Sequence, residues 1–225
     1  MSVRSRNYAS VIATTARCAM MVSTAHVGDR VTVEASSLAK SHPGRYGRVA
    51  QAIHWLTALL VLVAFIYGPG RPEDRVYAAA RDADRHLHET LGSCVFVLVV
   101  VRVLWRLVDS RPDPVPVARW MGLAAKAVQG VLYLLLFAVP MTAIAGAWLE
   151  GHPLAYLGGF EIASPIAPAH ELGATLAEIH GWLGDVILWV AGAHALAAIW
   201  HHFVARDSVL VSMLPAWLIK APQRR

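Results

Sequence analysis

Four histidines stand where an imidazole is costly and useful: His54, His88, His180 and His194. Two of them bracket the apolar run IHGWLGDVILWVAGAH, from Ile179 to His194. A neutral imidazole offers one ring nitrogen as a metal ligand and the other as a hydrogen-bond donor. His180 and His194 are fourteen residues apart. In a helix that spacing is a rise of roughly 21 Å and a rotation that returns to within about 40° of the starting direction. The two rings therefore share a face at different depths, and the question is what lies opposite them.

The rest of the chain answers in terms of membrane-crossing elements. Of the 225 residues, 56% are hydrophobic and 16% charged, with positive mean hydropathy, which is too apolar for an ordinary soluble domain. About 20 apolar helical residues span a hydrocarbon core. Four segments meet that length, roughly Arg48–Tyr67, His88–Val108, Leu123–Ala147 and Leu176–Val204. The reading is an all-α membrane protein, a four-helix transmembrane bundle. The net charge of +5 comes with no basic stripe interleaved with aromatics, so nucleic acid is not expected as a partner. The cations instead gather at one set of segment ends. Lys40, Arg45, Arg48, Arg102, Arg106, Arg111, Arg119, Lys126, Arg206, Lys220, Arg224 and Arg225 fall on one side, and Arg71, Arg75, Arg81 and Arg85 on the other. By the positive-inside rule both termini are cytoplasmic, in a multi-pass membrane protein.

On this topology the histidines sort by depth. His54 and His194 lie toward the cytoplasmic face, and His88 and His180 open their helices near the outer one. Each pair draws on two helices. One imidazole on either side of a flat macrocycle is the arrangement of bis-histidine haem, so two b haems are expected. Zinc or copper is the competing metal, but isolated histidine pairs without thiolate or carboxylate partners make poor tetrahedral sites. Arg102, fourteen residues after His88, reaches the depth of the His54/His194 pair, where its guanidinium fork matches a haem propionate or simply snorkels to the interface. Gly92, Gly181, Gly184 and Gly192 lie close in sequence to these ligands and leave room for a porphyrin or for a neighbouring helix.

At these residues the chain resembles the bacterial cytochrome b561 family, the short four-helix kind with two haems. The likeness rests on RYGRVAQAIHWLTALLV (Arg45–Val61), HETLGSCVFVLVVVRVLWRL (His88–Leu107) and IHGWLGDVILWVAGAHALAAIWHHFVARDSVLVSMLP (Ile179–Pro215), and covers nearly everything after the first 44 residues. The resemblance implies the same ligand pairing, a place in a bacterial inner membrane and a function in passing electrons between a donor and the quinone pool. Oxidation of external superoxide with reduction of ubiquinone is one such reaction. The third helix departs from the family in reading KAVQGVLYLLL, with Lys126 and Gln129 where relatives often carry histidine, so a quinone role is not carried over to it.

Residues 1–44 read as a disordered extension or a start set too early, 45–215 as the four-helix di-haem domain, and 216–225 as a basic tail. Cys18 and Cys94 are expected to be free thiols. Asp185 is expected to cap helix four or reach the outer interface, His86 to be a neighbour of the ligand rather than the ligand, and His201 and His202 to be interfacial, with a quinone ring as a possible contact of either. No nucleophilic or acid–base catalytic set is visible. The expected activity is electron carriage in lipid, with a redox partner protein or a superoxide:quinone oxidoreductase reaction supplying the electrons. Two rivals remain: a haem-bearing anchor subunit of a hydrogenase or dehydrogenase complex, and a haem-free metal transporter.

Overall fold

The computed structural model describes residues 44–68, 77–109 and 117–218. The N-terminal extension with Cys18, the arginines Arg71 and Arg75, Arg111 and most of the proline-rich connection around it, and the basic tail from Lys220 lie outside the described residues.

Four long helices dominate. They are α1 (Arg48–Ile66), α2 (Asp82–Val108), α3 (Arg119–Leu149) and α4 (His170–Trp200), the last running on as a π-helical turn over His201–Ala205. A short helix α5 (Val209–Met213) and a two-stranded antiparallel hairpin, β1 (Leu154–Ala155) and β2 (Glu161–Ile162), complete the described elements. All four long helices are long and apolar enough to cross a membrane.

Their burial is inverted relative to a soluble protein. Only 6% of the apolar window of the fourth span is buried inside the protein. Leu59, Leu62, Leu104, Leu134, Trp189 and Leu196 all face outward. Each would cost about 1.5–3 kcal/mol to hold in water, so this surface calls for lipid. What is buried is a thin seam including Ile53, Val95, Val99, Leu135 and Ile187.

Two helices begin earlier than apolar periodicity indicates. Helix α2 starts at Asp82 and α4 at His170, so His88 and His180 stand well inside their helices instead of opening them, and Asp185 lies deeper still. The added turns are polar, with Asp82 and Asp84 or Glu171 in the first turn, where carboxylates complement the helix dipole. A hydropathy window does not register such turns.

The helices pack as two antiparallel pairs, α1 on α2 and α3 along α4, with α2 against α3. The α3–α4 contact is closest where Gly146 meets Gly173. A Cβ on Gly146 would lie 3.2 Å from the Ala177 nitrogen, and one on Gly173 only 2.7 Å from the Glu150 nitrogen. Helix α3 runs unbroken through Pro140. Near the proline, the Thr142 hydroxyl donates to the carbonyls of Ala138 and Val139. Neither α1 nor α2 packs extensively against α4.

Candidate functional site

Helix α4 faces α1 and α2 through histidines at two levels. Near one end of the bundle the rings of His88 and His180 stand 5.9 Å apart, centroid to centroid, with planes at 85°. Near the other, His54 and His194 stand 6.5 Å apart at 79°. The structure thus brings together both pairs read from spacing. It also separates His88 from His86, whose Nε2 lies 3.2 Å from the Arg85 guanidinium.

The pairs have different second partners. His88 Nδ1 donates to the Ala64 carbonyl at 2.7 Å, and His180 Nδ1 to the Val139 carbonyl at 2.9 Å. A carbonyl can only accept, so both rings carry hydrogen on Nδ1 and present the Nε2 lone pair. This is how a metal-binding imidazole is oriented and its basicity raised. At the other level Arg102 donates from Nη1 to His54 Nδ1 at 3.1 Å and from Nε to the Tyr133 hydroxyl at 3.1 Å. Arginine has no acceptor, so His54 Nδ1 carries the lone pair in this arrangement. The guanidinia of Arg102 and Arg106 both lie over the Tyr133 ring, at 5.6 and 6.0 Å from its centroid.

Room for a flat group can be tested directly. A metal–nitrogen bond is about 2.0 Å and a ring centroid lies about 1.1 Å beyond the nitrogen, so imidazoles on opposite sides of one metal have centroids about 6 Å apart. Both observed separations match. One turn from His88 and His180, a Cβ on Gly92 or Gly184 would meet nothing within 4 Å, and the same holds for Gly181 and Gly192. The residues therefore fit a porphyrin seated between α4 and the α1–α2 pair. Among the described residues no three of His, Cys, Asp and Glu gather as a metal cluster, and a two-histidine site lacks the donors of a tetrahedral zinc centre.

The family model described as prokaryotic cytochrome b561 matches residues 45–216. The chain belongs to the prokaryotic cytochrome b561 family. It is 32% identical over 173 residues to Cytochrome b561 homolog 2 of Escherichia coli (strain K12), covering 76% of this chain and 92% of that relative. It is 27% identical over 172 residues to Cytochrome b561 homolog 1 of the same organism, covering 76% and 97%. It is 32% identical over 177 residues to the Probable superoxide oxidase CybB of Yersinia pestis, covering 76% and 96%. As a cytochrome b561 the chain is a haem-binding electron-transport protein of a bacterial membrane.

Sequence reasoning missed the contacts that surround the site. The hairpin between α3 and α4 is tied to α2 just beyond His88. Glu89 accepts from the Ala155 amide at 2.5 Å, Thr90 from the Leu157 amide at 3.0 Å, and Ser93 lies 3.2 Å from the Tyr156 hydroxyl. Tyr77 stacks on His152 with centroids 3.5 Å apart. The Tyr77 hydroxyl is pushed up to about 12, first by burial and then by the Glu150 and Glu89 carboxylates, against Arg85. His201, read as interfacial, has a specific partner: its Nδ1 lies 2.5 Å from Asp207 Oδ2. Asp207 is reached because Arg206 takes a left-handed conformation, φ 54°, at the end of the π-helical turn. Burial pushes the Asp207 carboxyl up, but the Val209 amide and His201 together hold it below its ordinary range. The Arg-Asp dipeptide was the only signal in the sequence, and it does not encode the turn.

Proposed function

We propose that this cytochrome b561 holds two b haems, one between His88 and His180 and one between His54 and His194. In this reading it passes single electrons from an outer donor to quinone at the His54 end. The observation that carries it is the pair of imidazole–imidazole gaps, each near 6 Å, at two levels between α4 and the α1–α2 pair. The loaded haem supplies the one-electron iron couple, and everything else is done by the chain.

His88 and His180 offer Nε2 without rearrangement, their tautomers being set by Ala64 and Val139. His54 has to exchange its partner: for Nε2 to ligate iron, Arg102 leaves Nδ1. A haem propionate would give the guanidinium a stronger, charge-assisted acceptor, while Tyr133 keeps it in place. At the same end, seven residues beyond His194, the His201–Asp207 pair is suited to quinone chemistry. Asp207 holds the hydrogen on Nδ1 and orients Nε2, from which protonated His201 can hydrogen-bond a quinone oxygen and pass it a proton. Four crossings of the inner membrane, with both termini in the cytoplasm, follow from the asymmetry of Lys and Arg between segment ends. One relative is named a probable superoxide oxidase, and superoxide is accordingly the donor assigned to the outer end.

The test is a reduced-minus-oxidised spectrum of the purified chain with haem measured per polypeptide. Two haems are expected. One, or none, removes the reading.

A further inference from the structure

A small cavity of about 30 Å³ opens beside Arg102 at the His54 end, lined by Tyr46, Arg102, Trp105, Arg106, Asp109 and Tyr133 among others. Trp105 and Asp109, two of its lining residues, each carry a buried polar atom without a hydrogen-bond partner among the described residues: the Trp105 indole Nε1 and Asp109 Oδ1. Nearly every buried polar atom in a native protein is satisfied, so such a pair needs an account. One is a donor and the other an acceptor, and the residues that carry them stand four apart at the C-terminal end of α2 and line the same small space. Asp109 is also misplaced for helix stability. It caps the C-terminus of α2, its amide bonded to the Trp105 carbonyl at 2.8 Å, where the helix dipole favours a cation over a carboxylate.

Size and chemistry choose the occupant. A volume near 30 Å³ holds about two water molecules and is far too small for a quinone ring. A carboxylate would suit the indole but be repelled by Asp109. Water accepts from the indole and donates to the carboxylate, satisfying both. The Tyr133 hydroxyl and Arg102, which bond each other, line the same cavity.

We propose that this cavity binds water and forms a proton inlet for quinone reduction at the His54 end, with Asp109 collecting protons at the membrane face. The inference rests on the quinone-reducing reading above. In that reading a quinone would become a quinol by taking up two electrons, which bound haem would supply one at a time, and two protons from the aqueous phase, with no other product. Asp109 gains a proton from bulk water and loses it to the cavity water, so it is regenerated in each transfer. Charged and titratable groups facing it are Arg102 and Arg106 on its own helix, Tyr133 on α3 and Tyr46 before α1.

The experiment uses the full haem-loaded chain in detergent, reduced with dithionite and mixed with a short-chain ubiquinone. Asp109→Asn is expected to keep its haem content and reduced spectrum but to slow quinone-dependent reoxidation about tenfold or more, with a weak acid such as formate restoring the rate. Trp105→Phe, which removes the indole N–H together with part of the ring while keeping an aromatic side chain, is expected to slow it in the same direction and guards against Asp109→Asn failing to fold. Independently, ultraviolet resonance Raman in deuterated water should show that the quickly exchanging indole signal of the wild type is diminished by one N–H in Trp105→Phe, the exposed Trp120 and Trp217 exchanging quickly in both. Unchanged reoxidation in both variants, or a slowly exchanging Trp105 N–H, overturns the inlet. A wild-type protein whose reduced haems do not react with quinone overturns instead the reading beneath it.

Discussion

Replacing His180 by alanine tests the pairing most directly. The substitution removes one of two rings 5.9 Å apart and the Nδ1 bond to the Val139 carbonyl. That carbonyl keeps the Thr142 hydroxyl at 2.9 Å, so no buried acceptor is stranded. The loss of one neutral hydrogen bond is then about 1 kcal/mol, small against a domain stability of roughly 5–15 kcal/mol. The bundle should stay folded, and the change should be confined to the cofactor. His180→Ala is expected to fall from two haems per chain to one. His88→Ala should do the same and leave the same residual spectrum, and the double variant should be no worse than either single one, because the two residues act as a unit. The assay is pyridine haemochromogen per polypeptide, with a redox titration to identify the surviving haem. Different residual spectra from the two single variants, or no haem in the double variant, would refute the argument.

Other outcomes follow from single contacts. Gly173→Ala places a Cβ 2.7 Å from the Glu150 nitrogen and should cost about 1–3 kcal/mol, read as a lowered Tm in detergent. Gly92→Leu and Gly184→Leu fill space that is open in the protein alone, so thermal stability without haem should hold while the outer haem is lost on reconstitution. Arg102→Leu removes a cation next to His54 and should lower the midpoint potential of one haem only, by an amount on the order of tens of millivolts, measured by spectroelectrochemistry. Burial lowers His152, with Arg85 and His170 acting in the same direction and Glu150 against, so the undocked loop takes up the proton first. The stability contributed there is present at high pH and fades as pH drops below the ordinary imidazole value of 6.5, which hydrogen exchange at the Ala155 and Leu157 amides should show as faster exchange.

The four spans, the histidine pairs and Arg102 were all legible in the sequence because they rest on two regular quantities, hydrophobic length and helical rise. Depth fixed which histidines could meet, and fourteen-residue spacing placed Arg102 beside His54. What escaped depends on contacts between residues far apart in the chain. Nothing in the sequence announces that Glu89 and Thr90 anchor a hairpin some 66 residues away, since both read as ordinary polar residues beside a ligand. Nor does it announce Tyr133, whose ring sits in an apolar run and whose hydroxyl is given meaning only by Arg102. The polar first turns of α2 and α4 were missed for the opposite reason, being local but invisible to an apolar window.

Each histidine pair takes one member from α4, and the segment after α4 is laced back to α1: Gln51 and the Tyr46 amide reach the Ser212 carbonyl, Trp55 the Met213 carbonyl, and Arg45 the Leu214 carbonyl. During synthesis, then, three helices can enter the bilayer while every imidazole still waits alone. Neither level acquires its second ring until the ribosome has delivered the final crossing, and the clasp onto Arg45, Gln51 and Trp55 closes only when Ser212, Met213 and Leu214 have followed it. A chain interrupted before that point keeps three spans and not one complete pair.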